Sequence, residues 1–162
     1  FSNTTDTDVS IKNSIIKDVD TRSLSKAIDF QQNIFIGVSI GQLDITSWGD
    51  NHLTFSNNCI LDSSIGFGFR GDFQSAESLQ GFTNNSIINT GKLYDDYMEK
   101  LVGVYGPSDV SIPANYWAGE TDQSTIKELF IHDFEKDLAW PTLITISDVL
   151  TEPHPDTPNC ID

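Results

Sequence analysis

A short glycine-flanked segment carries the residues best suited to act on a charged substrate. In residues 67–72, FGFRGD, a guanidinium and a carboxylate stand two positions apart, beside glycines that leave the backbone exposed. Arg70 is the best candidate in the chain for binding a substrate carboxylate, and Asp72 is a candidate catalytic acid or base. The alternative is an ion pair on a surface loop, which would contribute less than about 1 kcal/mol.

A second group of candidates combines aromatic rings with side chains that can bind hydroxyl groups. Trp48 lies in the segment TSWGDN, residues 46–51, and two tyrosines form the ends of the segment YDDY, residues 94–97. Aromatic rings stack on sugar rings, and neighbouring carboxylates and amides bind sugar hydroxyls. The alternative is that these residues pack an inserted loop against the rest of the domain. The candidate ligand-binding residues are Trp48, Asp50, Asn51, Tyr94 and Tyr97.

Calcium is the one cofactor for which the sequence offers ligands. Asp95 and Asp96 are candidate calcium ligands, and the string Asp6-Thr7-Asp8 is a second source of hard oxygen atoms. Neither string matches a recognised calcium-binding loop. The three histidines are dispersed and no HExxH or GxSxG motif occurs, which disfavours zinc and acyl-enzyme chemistry. A pair of glycosidase carboxylates is not singled out, because acidic residues such as Asp44 and Asp62 are expected on any acidic surface.

Composition restricts the classes of partner. Asp and Glu outnumber Lys and Arg by 24 to 9, and the net charge of −15 disfavours nucleic acid as a partner. The chain is 38% hydrophobic, which favours a folded domain, but no apolar stretch is long enough to predict a membrane span. Cys59 and Cys160 either pair in an oxidising compartment or remain thiols. The start at Phe1 suggests a segment of a longer product, or a first coil capped by a partner.

A repeated pattern organises the elements that must position these residues. Residues 30–36 (FQQNIFI), 55–61 (FSNNCIL) and 82–88 (FTNNSII) all read apolar, two polar, Asn, any, apolar, apolar. A shortened copy spans 11–16 (IKNSII), and a degenerate copy spans 112–117 (IPANYW). The irregular spacing of the copies is typical of structural repeats that keep their strands and vary their surface loops. The shared asparagines are Asn13, Asn33, Asn58, Asn85 and Asn115.

Stacking is required because one copy cannot bury its own apolar face. It would place Phe30, Phe55 and Phe82 in one core column, with Phe35, Ile60 and Ile87 in another, and would align the asparagines in a ladder. Each copy resembles two short strands that meet at a tight turn, where Asn tolerates the left-handed conformation. The alternative is a β-sandwich, whose short strands also recur between Asn and Gly turns.

The pattern changes after Trp117. The sequence predicts a helix from Gln123 to His132, with apolar residues at Ile126, Leu129 and Phe130, and a last strand over 143–146. The sequence therefore predicts a single domain with three regions: repeated coils over 1–120, a helix–strand cap over 121–150 and a Pro-rich tail over 151–162.

The repeats resemble the Asn-rich coils of right-handed parallel β-helix proteins in the pectate-lyase-like superfamily. The ending is similar to the C-terminal coils and cap of bacterial secreted or surface β-helix proteins, which typically show NYWG, then TD, a helix and an Asp-rich turn. Here NYWAG spans 115–119, TD spans 121–122 and DFEKD spans 133–137, so that Ala118 is inserted before Gly119. The resemblance implies an all-β, right-handed parallel β-helix of about five coils with a short C-terminal α-helical cap.

The resemblance implies only a broad range of functions. The superfamily includes polysaccharide lyases, glycoside hydrolases, epimerases, adhesins and noncatalytic carbohydrate-binding proteins, so the fold does not choose among them. Because no convincing set of acid, base and cation stands out, we expect a noncatalytic, carbohydrate-binding or adhesive module. Its partner would be a polysaccharide or cell-surface glycan, and its location the extracellular space or cell surface, with the periplasm as an alternative. A polysaccharide-degrading lyase or hydrolase, or a C-terminal fragment of one, is the other hypothesis.

Overall fold

The chain folds mainly into parallel β-sheet, with one short α-helix. The computed structural model describes residues 9–21, 28–46, 54–70, 81–88, 102–105, 110–132, 135, 138 and 143–160. Each strand that has a partner further along the chain pairs with the strand three places on, and each of these pairings is parallel. The antiparallel sandwich considered above is therefore wrong.

From β1 to β12, one strand from each of sheets A, B and C makes up a repeat, so that these strands form four repeats. After β12 the first strand of a repeat belongs to sheet D in place of sheet A. Sheet A contains β1 (Val9–Lys12), β4 (Ile28–Gln31), β7 (Phe55–Ser56) and β10 (Phe82–Thr83). Sheet B contains β2 (Ile15–Lys17), β5 (Ile34–Ile36), β8 (Cys59–Leu61), β11 (Ser86–Ile88), β14 (Asn115–Trp117) and β17 (Val149–Leu150). Sheet C contains β3 (Asp20–Thr21), β6 (Ser39–Thr46), β9 (Ser64–Arg70), β12 (Val102–Tyr105) and β15 (Ile131–His132). Sheet D pairs β13 (Val110–Ile112) with β16 (Ile144–Ile146).

The core consists of side-chain columns that run from repeat to repeat, as predicted. Phe55 is the Cα partner of both Phe30 and Phe82, and the rings of neighbouring members lie 5.5 to 5.6 Å apart. The second column aligns Phe35, Ile60 and Ile87, which are at most 1% exposed. Burial of these large apolar side chains is the main force holding successive repeats together.

A ladder of buried asparagines runs beside these columns. Asn33, Asn58, Asn85 and Asn115 are 0% exposed. The Oδ1 atom of each accepts the backbone N–H of the ladder residue in the preceding repeat, at 2.8 to 3.0 Å. The Nδ2 group of each donates to a backbone carbonyl of that same repeat. The ladder therefore satisfies backbone groups at a turn where the strand pairing is interrupted.

Two details of the predicted ladder are wrong. Ile11 pairs with Phe30, so Asn13 aligns with Gln32, and Ser14 occupies the ladder position of the first repeat. The left-handed backbone also belongs to the residue before the ladder asparagine, with φ of 56° at Gln32 and 54° at Asn57. The preceding residue makes the turn, which leaves the ladder asparagine free to point its amide inward.

The single helix of the described chain, α1, spans Gln123–Phe130 and is shorter than predicted. Its C-cap, Ile131, has φ −107° and ψ 134°, because Ile131–His132 leaves the helix as β15 and pairs with β12. Ile126 and Phe130 are buried, whereas Leu129, predicted on the same apolar face, is 48% exposed. The predicted strand near residue 144 is present as β16.

The C-terminal tail returns to the middle repeats. Cys160 is joined to Cys59 of β8 by a disulfide, with a Cα–Cα distance of 6.0 Å that lies in the usual range for such bonds. The sequence left this pairing open. The bond connects residues 101 positions apart, so it links the end of the chain to its third repeat.

Candidate functional site

The end of sheet C is the place where the structure can be compared with the predicted site. Arg70 is the last residue of β9, and its Cα partner in the adjacent strand β6 is Thr46, the last residue of that strand. The segment 47–53 follows Thr46 and the segment 71–80 follows Arg70. Two segments that are far apart in sequence therefore start from neighbouring strand ends.

An irregularity in β6 sets this register. Ile40 pairs with Ile65 and Leu43 pairs with Phe67, so β6 contains one more residue than β9 between the two pairs. Such a β-bulge shifts every later partner by one position. Without it, Ile45 would stand opposite Arg70. The bulge instead places the polar residue Thr46 there, and Gly41, inside the irregular stretch, is the sequence signal that could have located it.

The described part of the chain contains only one of the predicted site residues. Arg70 is placed by its backbone at the end of sheet C. The others lie outside the described residues: Asp72, Trp48, Asp50, Asn51, Tyr94 and Tyr97, together with the metal candidates Asp95 and Asp96. By their positions in sequence, Trp48, Asp50 and Asn51 follow β6 and Asp72 follows β9, whereas residues 94–97 belong to the connection between β11 and β12.

Two carboxylates that the sequence could not rank lie in different elements of the fold. Asp44 lies within β6, with Gly68 as its Cα partner. Asp62 lies at the turn between β8 and β9, where it has a left-handed φ of 47° and donates its backbone N–H to the carbonyl of Ile88. Asp62 therefore has a structural position at a turn between sheets B and C.

Trp117 belongs to the core. It is 0% exposed, and its ring centroid lies 5.6 Å from that of Phe130. Its Nε1–H has no hydrogen-bond partner among the described residues. Trp117 thus secures α1 against the last repeats and has no surface available to a ligand.

Among the described residues, a shifted pKa is found at the start of α1, for the carboxyl group of Asp122. Hydrogen bonds from the Ser124 hydroxyl, and then from the backbone N–H and hydroxyl of Thr125, lower the pKa of Asp122 from its ordinary value of 3.8. The Thr125 N–H to Asp122 Oδ1 distance is 2.8 Å, which identifies Asp122 as the N-cap of α1. This carboxylate has a structural role.

Among the described residues, the candidate site is defined by two neighbouring strand ends. No cluster of ionisable side chains is found at one place among these residues. Among them, no three His, Cys, Asp or Glu side chains come together as a metal site. The one helix that they contain is too short to cross a membrane. Comparison of the chain with models of protein families, with curated proteins and with solved structures finds no match.

Proposed function

We propose that this chain is a noncatalytic extracellular module, folded as a right-handed parallel β-helix, that binds a polysaccharide or cell-surface glycan. The pairing of each strand with the strand three places further on supports the β-helix. Right-handedness follows from the strong preference of parallel crossover connections for that hand. The Asn ladder and the resemblance of the repeats to pectate-lyase-like coils support the same fold.

One observation carries the proposal for function: Thr46 and Arg70 are partners at the end of sheet C. Neighbouring strands in a sheet lie about 4.8 Å apart. The segment that contains Trp48, Asp50 and Asn51 and the segment that contains Asp72 therefore begin side by side. An indole, an amide, a guanidinium and carboxylates that are scattered in the sequence can then serve one surface.

This combination suits a sugar better than it suits other ligands. Trp48 offers a flat apolar face for the C–H face of a sugar ring, and Asp50 and Asn51 offer acceptors and a donor for hydroxyl groups. Arg70 provides a planar cation for a carboxylated sugar, which would otherwise be repelled by the net charge of −15. Tyr94 and Tyr97 form a separate candidate contact, with Asp95 and Asp96 as possible ligands of a bridging Ca²⁺.

The disulfide supports an extracellular location. Bonds of this kind persist in secreted and surface proteins, and in the periplasm, but are rare in reducing compartments. Cys59 and Cys160 are the only cysteines of the chain, so both are used by the bond. We place the protein outside the cell or on its surface, with the periplasm as the alternative.

A glycan array, followed by affinity measurements on the glycan that binds, tests the proposal. The full chain is compared with Trp48→Ala and Arg70→Gln, in Ca²⁺ and then in chelator. Loss of a charge-assisted hydrogen bond at Arg70 should weaken binding to a carboxylated glycan by roughly 10- to 100-fold. Lys12→Gln is the matched control, because it removes the same charge from an exposed position on β1 of sheet A and should leave affinity unchanged.

A depolymerisation assay on the same polysaccharides separates binding from catalysis. Release of unsaturated or reducing sugars would overturn the noncatalytic proposal and favour a lyase or hydrolase. Equal affinity of the wild type, Trp48→Ala and Arg70→Gln for every bound glycan would show that the end of sheet C is not the binding surface.

A further inference from the structure

The C-terminal tail crosses several repeats on the outside of sheet B, and we call residues 151–160 the strap. Thr157 Oγ1 donates to the carbonyl of Asn84 in the fourth repeat, at 2.6 Å. Cys160 is bonded to Cys59 in the third repeat. Gln32 Nε2 in the second repeat donates to the carbonyl of Asp156, at 3.4 Å. The strap therefore contacts three consecutive repeats, although none of its residues belongs to a strand.

Burial along the outer face of sheet B changes where the strap is attached. Ile60 and Ile87 point into the core, so the neighbouring residues Cys59 and Ser86 point outward. Ile15, Ile34, Cys59 and Ser86 are successive Cα partners across four strands. Ile15 is 63% exposed, whereas Cys59 and Ser86, which lie where the strap is anchored, are 1% and 3% exposed.

Two buried polar atoms close to the disulfide lack hydrogen-bond partners among the described residues. The Oγ atom of Ser86 and the Oδ1 atom of Asn57 are buried and have no hydrogen-bond partner among the described residues. Both residues adjoin Cys59: Ser86 is its Cα partner, and Asn57 stands two positions before it in sequence. In an open state water would bind these atoms, so desolvation opposes closure at the very place where the disulfide forms.

Within the strap, hydrogen bonds create a local turn. The backbone N–H of Thr157 donates to the carbonyl of His154, at 2.9 Å, and the N–H of Asp156 approaches His154 Nδ1, at 3.3 Å. Pro153, Pro155 and Pro158 cannot donate backbone hydrogen bonds and favour an extended chain. These features shape the strap itself.

We propose that the strap is a redox-controlled cover of the outer face of sheet B. It is closed when Cys59 and Cys160 form a disulfide and open when both are thiols. Closure transfers two electrons and two protons from the two thiols to an external disulfide oxidant, which is released as two thiols. A dithiol reductant reverses the step. Reduced chain, before it reaches an oxidising compartment, therefore presents an outer face that the oxidised protein hides.

This inference is independent of the proposed glycan site, which lies at the end of sheet C. It concerns sheet B, the column from Ile34 to Ser86 and the strap that covers it. Cys160→Ser should therefore leave glycan affinity unchanged. A failure of the strap experiment and a failure of glycan binding can be told apart.

The test uses full-length Cys160→Ser, in which Cys59 is the only thiol. We would measure the rate at which an aromatic disulfide reagent modifies Cys59, in buffer and in urea. An open strap predicts modification in buffer that is less than roughly tenfold slower than in the unfolded chain, because the protecting segment opens locally. A rate more than tenfold slower would show that noncovalent contacts keep the strap closed, and would overturn the proposal.

Hydrogen exchange supplies a second measurement that does not need the variant. Wild-type protein treated with a phosphine reductant should exchange the amides of residues 151–160 faster than oxidised protein, with the amides of β5, β8 and β11 unchanged. Equal exchange in the two forms would contradict the proposal. Thr157→Val is the matched control, because it removes the hydrogen bond to Asn84 but keeps the disulfide, and its oxidised strap should stay protected.

Discussion

At the scale of single residues, Asn58 tests the Asn ladder. Its Oδ1 accepts the N–H of Asn33, and its Nδ2 donates to the carbonyl of Phe30. Asn58→Ala leaves both groups buried without these partners, and each unsatisfied group costs about 1–3 kcal/mol. We expect the free energy of unfolding to fall by roughly 2–6 kcal/mol, measured by urea titration.

Asn57 provides the matched control for this change. It stands next to Asn58, has a left-handed φ of 54°, and its Oδ1 has no partner among the described residues. Glycine adopts that conformation without steric cost, so Asn57→Gly should change the free energy of unfolding by less than about 1 kcal/mol. Equal losses in the two variants would contradict the role assigned to the ladder.

The turn after β14 supports a second residue-scale prediction. Ala118 has φ 53° and Gly119 has φ 87°, so two successive residues of this turn are left-handed. Ala118→Gly removes a steric cost of about 1–2 kcal/mol but adds entropy to the unfolded chain. We expect a net stabilisation of up to about 1 kcal/mol in urea titration.

The opposite change at Gly119 is the control. A Cβ there would lie 3.5 Å from the Tyr116 hydroxyl, which is an ordinary contact, so the penalty is conformational. Gly119→Ala should destabilise the protein by about 1–2 kcal/mol. If both variants move the urea midpoint in the same direction, the conformational explanation of this turn fails.

Residue types predicted the core well but the ladder only in part. Phe30, Phe55 and Phe82 could be identified because each is an apolar residue at the same distance before Asn. When the repeats stack, residues at such matching positions align in one core column. Asn13 was misassigned because an Asn in a polar pair can be either the turn residue or the ladder residue. Only the backbone register, which pairs Ile11 with Phe30, decides between them.

At the scale of elements, the start of α1 predicts a dependence on pH. The pKa of Asp122 is lowered chiefly by the Ser124 hydroxyl, so the ionised cap is favoured by folding. A group whose pKa is lower when folded contributes stability that is present above its unfolded pKa and is lost as pH falls through the folded pKa. The difference in unfolding free energy between wild type and Asp122→Ala should therefore be constant near neutral pH and shrink below pH 3.8.

Asp122→Asn is the control for charge, because asparagine also caps helices but does not titrate. Its stability relative to Asp122→Ala should show no such decline over the same acidic range. A wild-type curve that runs parallel to the Asp122→Asn curve would contradict the assigned cause of the pKa shift. Urea titration at several pH values gives all three curves.

The ends of elements were less predictable than their existence. The apolar periodicity that starts α1 continues into Ile131, so the pattern could not show that this residue turns back into sheet C. The exposed position of Leu129 has the same origin, since a helix of two turns buries only Ile126 and Phe130. Whether Ile131 continues the helix or pairs with β12 depends on tertiary contacts, which the local spacing of apolar residues does not show.

At the scale of the whole molecule, the stacking makes strand ends neighbours that are separated in sequence, such as Thr46 and Arg70. Trp48 and Arg70 could be chosen from the sequence as separate candidates. The sequence did not show that Arg70 is the partner of Thr46, two positions before Trp48, because that pairing depends on the bulge in β6. A shift of one residue would have changed that pairing. The disulfide was likewise undetermined, because two cysteines 101 residues apart can meet only if the strap folds back over sheet B.

The disulfide should contribute a large share of the stability of the whole chain. It connects residues 101 positions apart, and closing a loop of that length restricts the unfolded chain by about 4–5 kcal/mol in the chain-entropy description. Because Ser86 and Asn57 are left with unpartnered buried atoms when the strap is closed, the net loss on reduction should be smaller, about 2–4 kcal/mol. Urea titration of oxidised wild type and of the double variant Cys59→Ser, Cys160→Ser measures this loss.

A loss below about 1 kcal/mol would mean that strain and desolvation in the closed state cancel the restriction of the unfolded chain. In that case the bond would serve to hold the strap in place without stabilising the folded repeats.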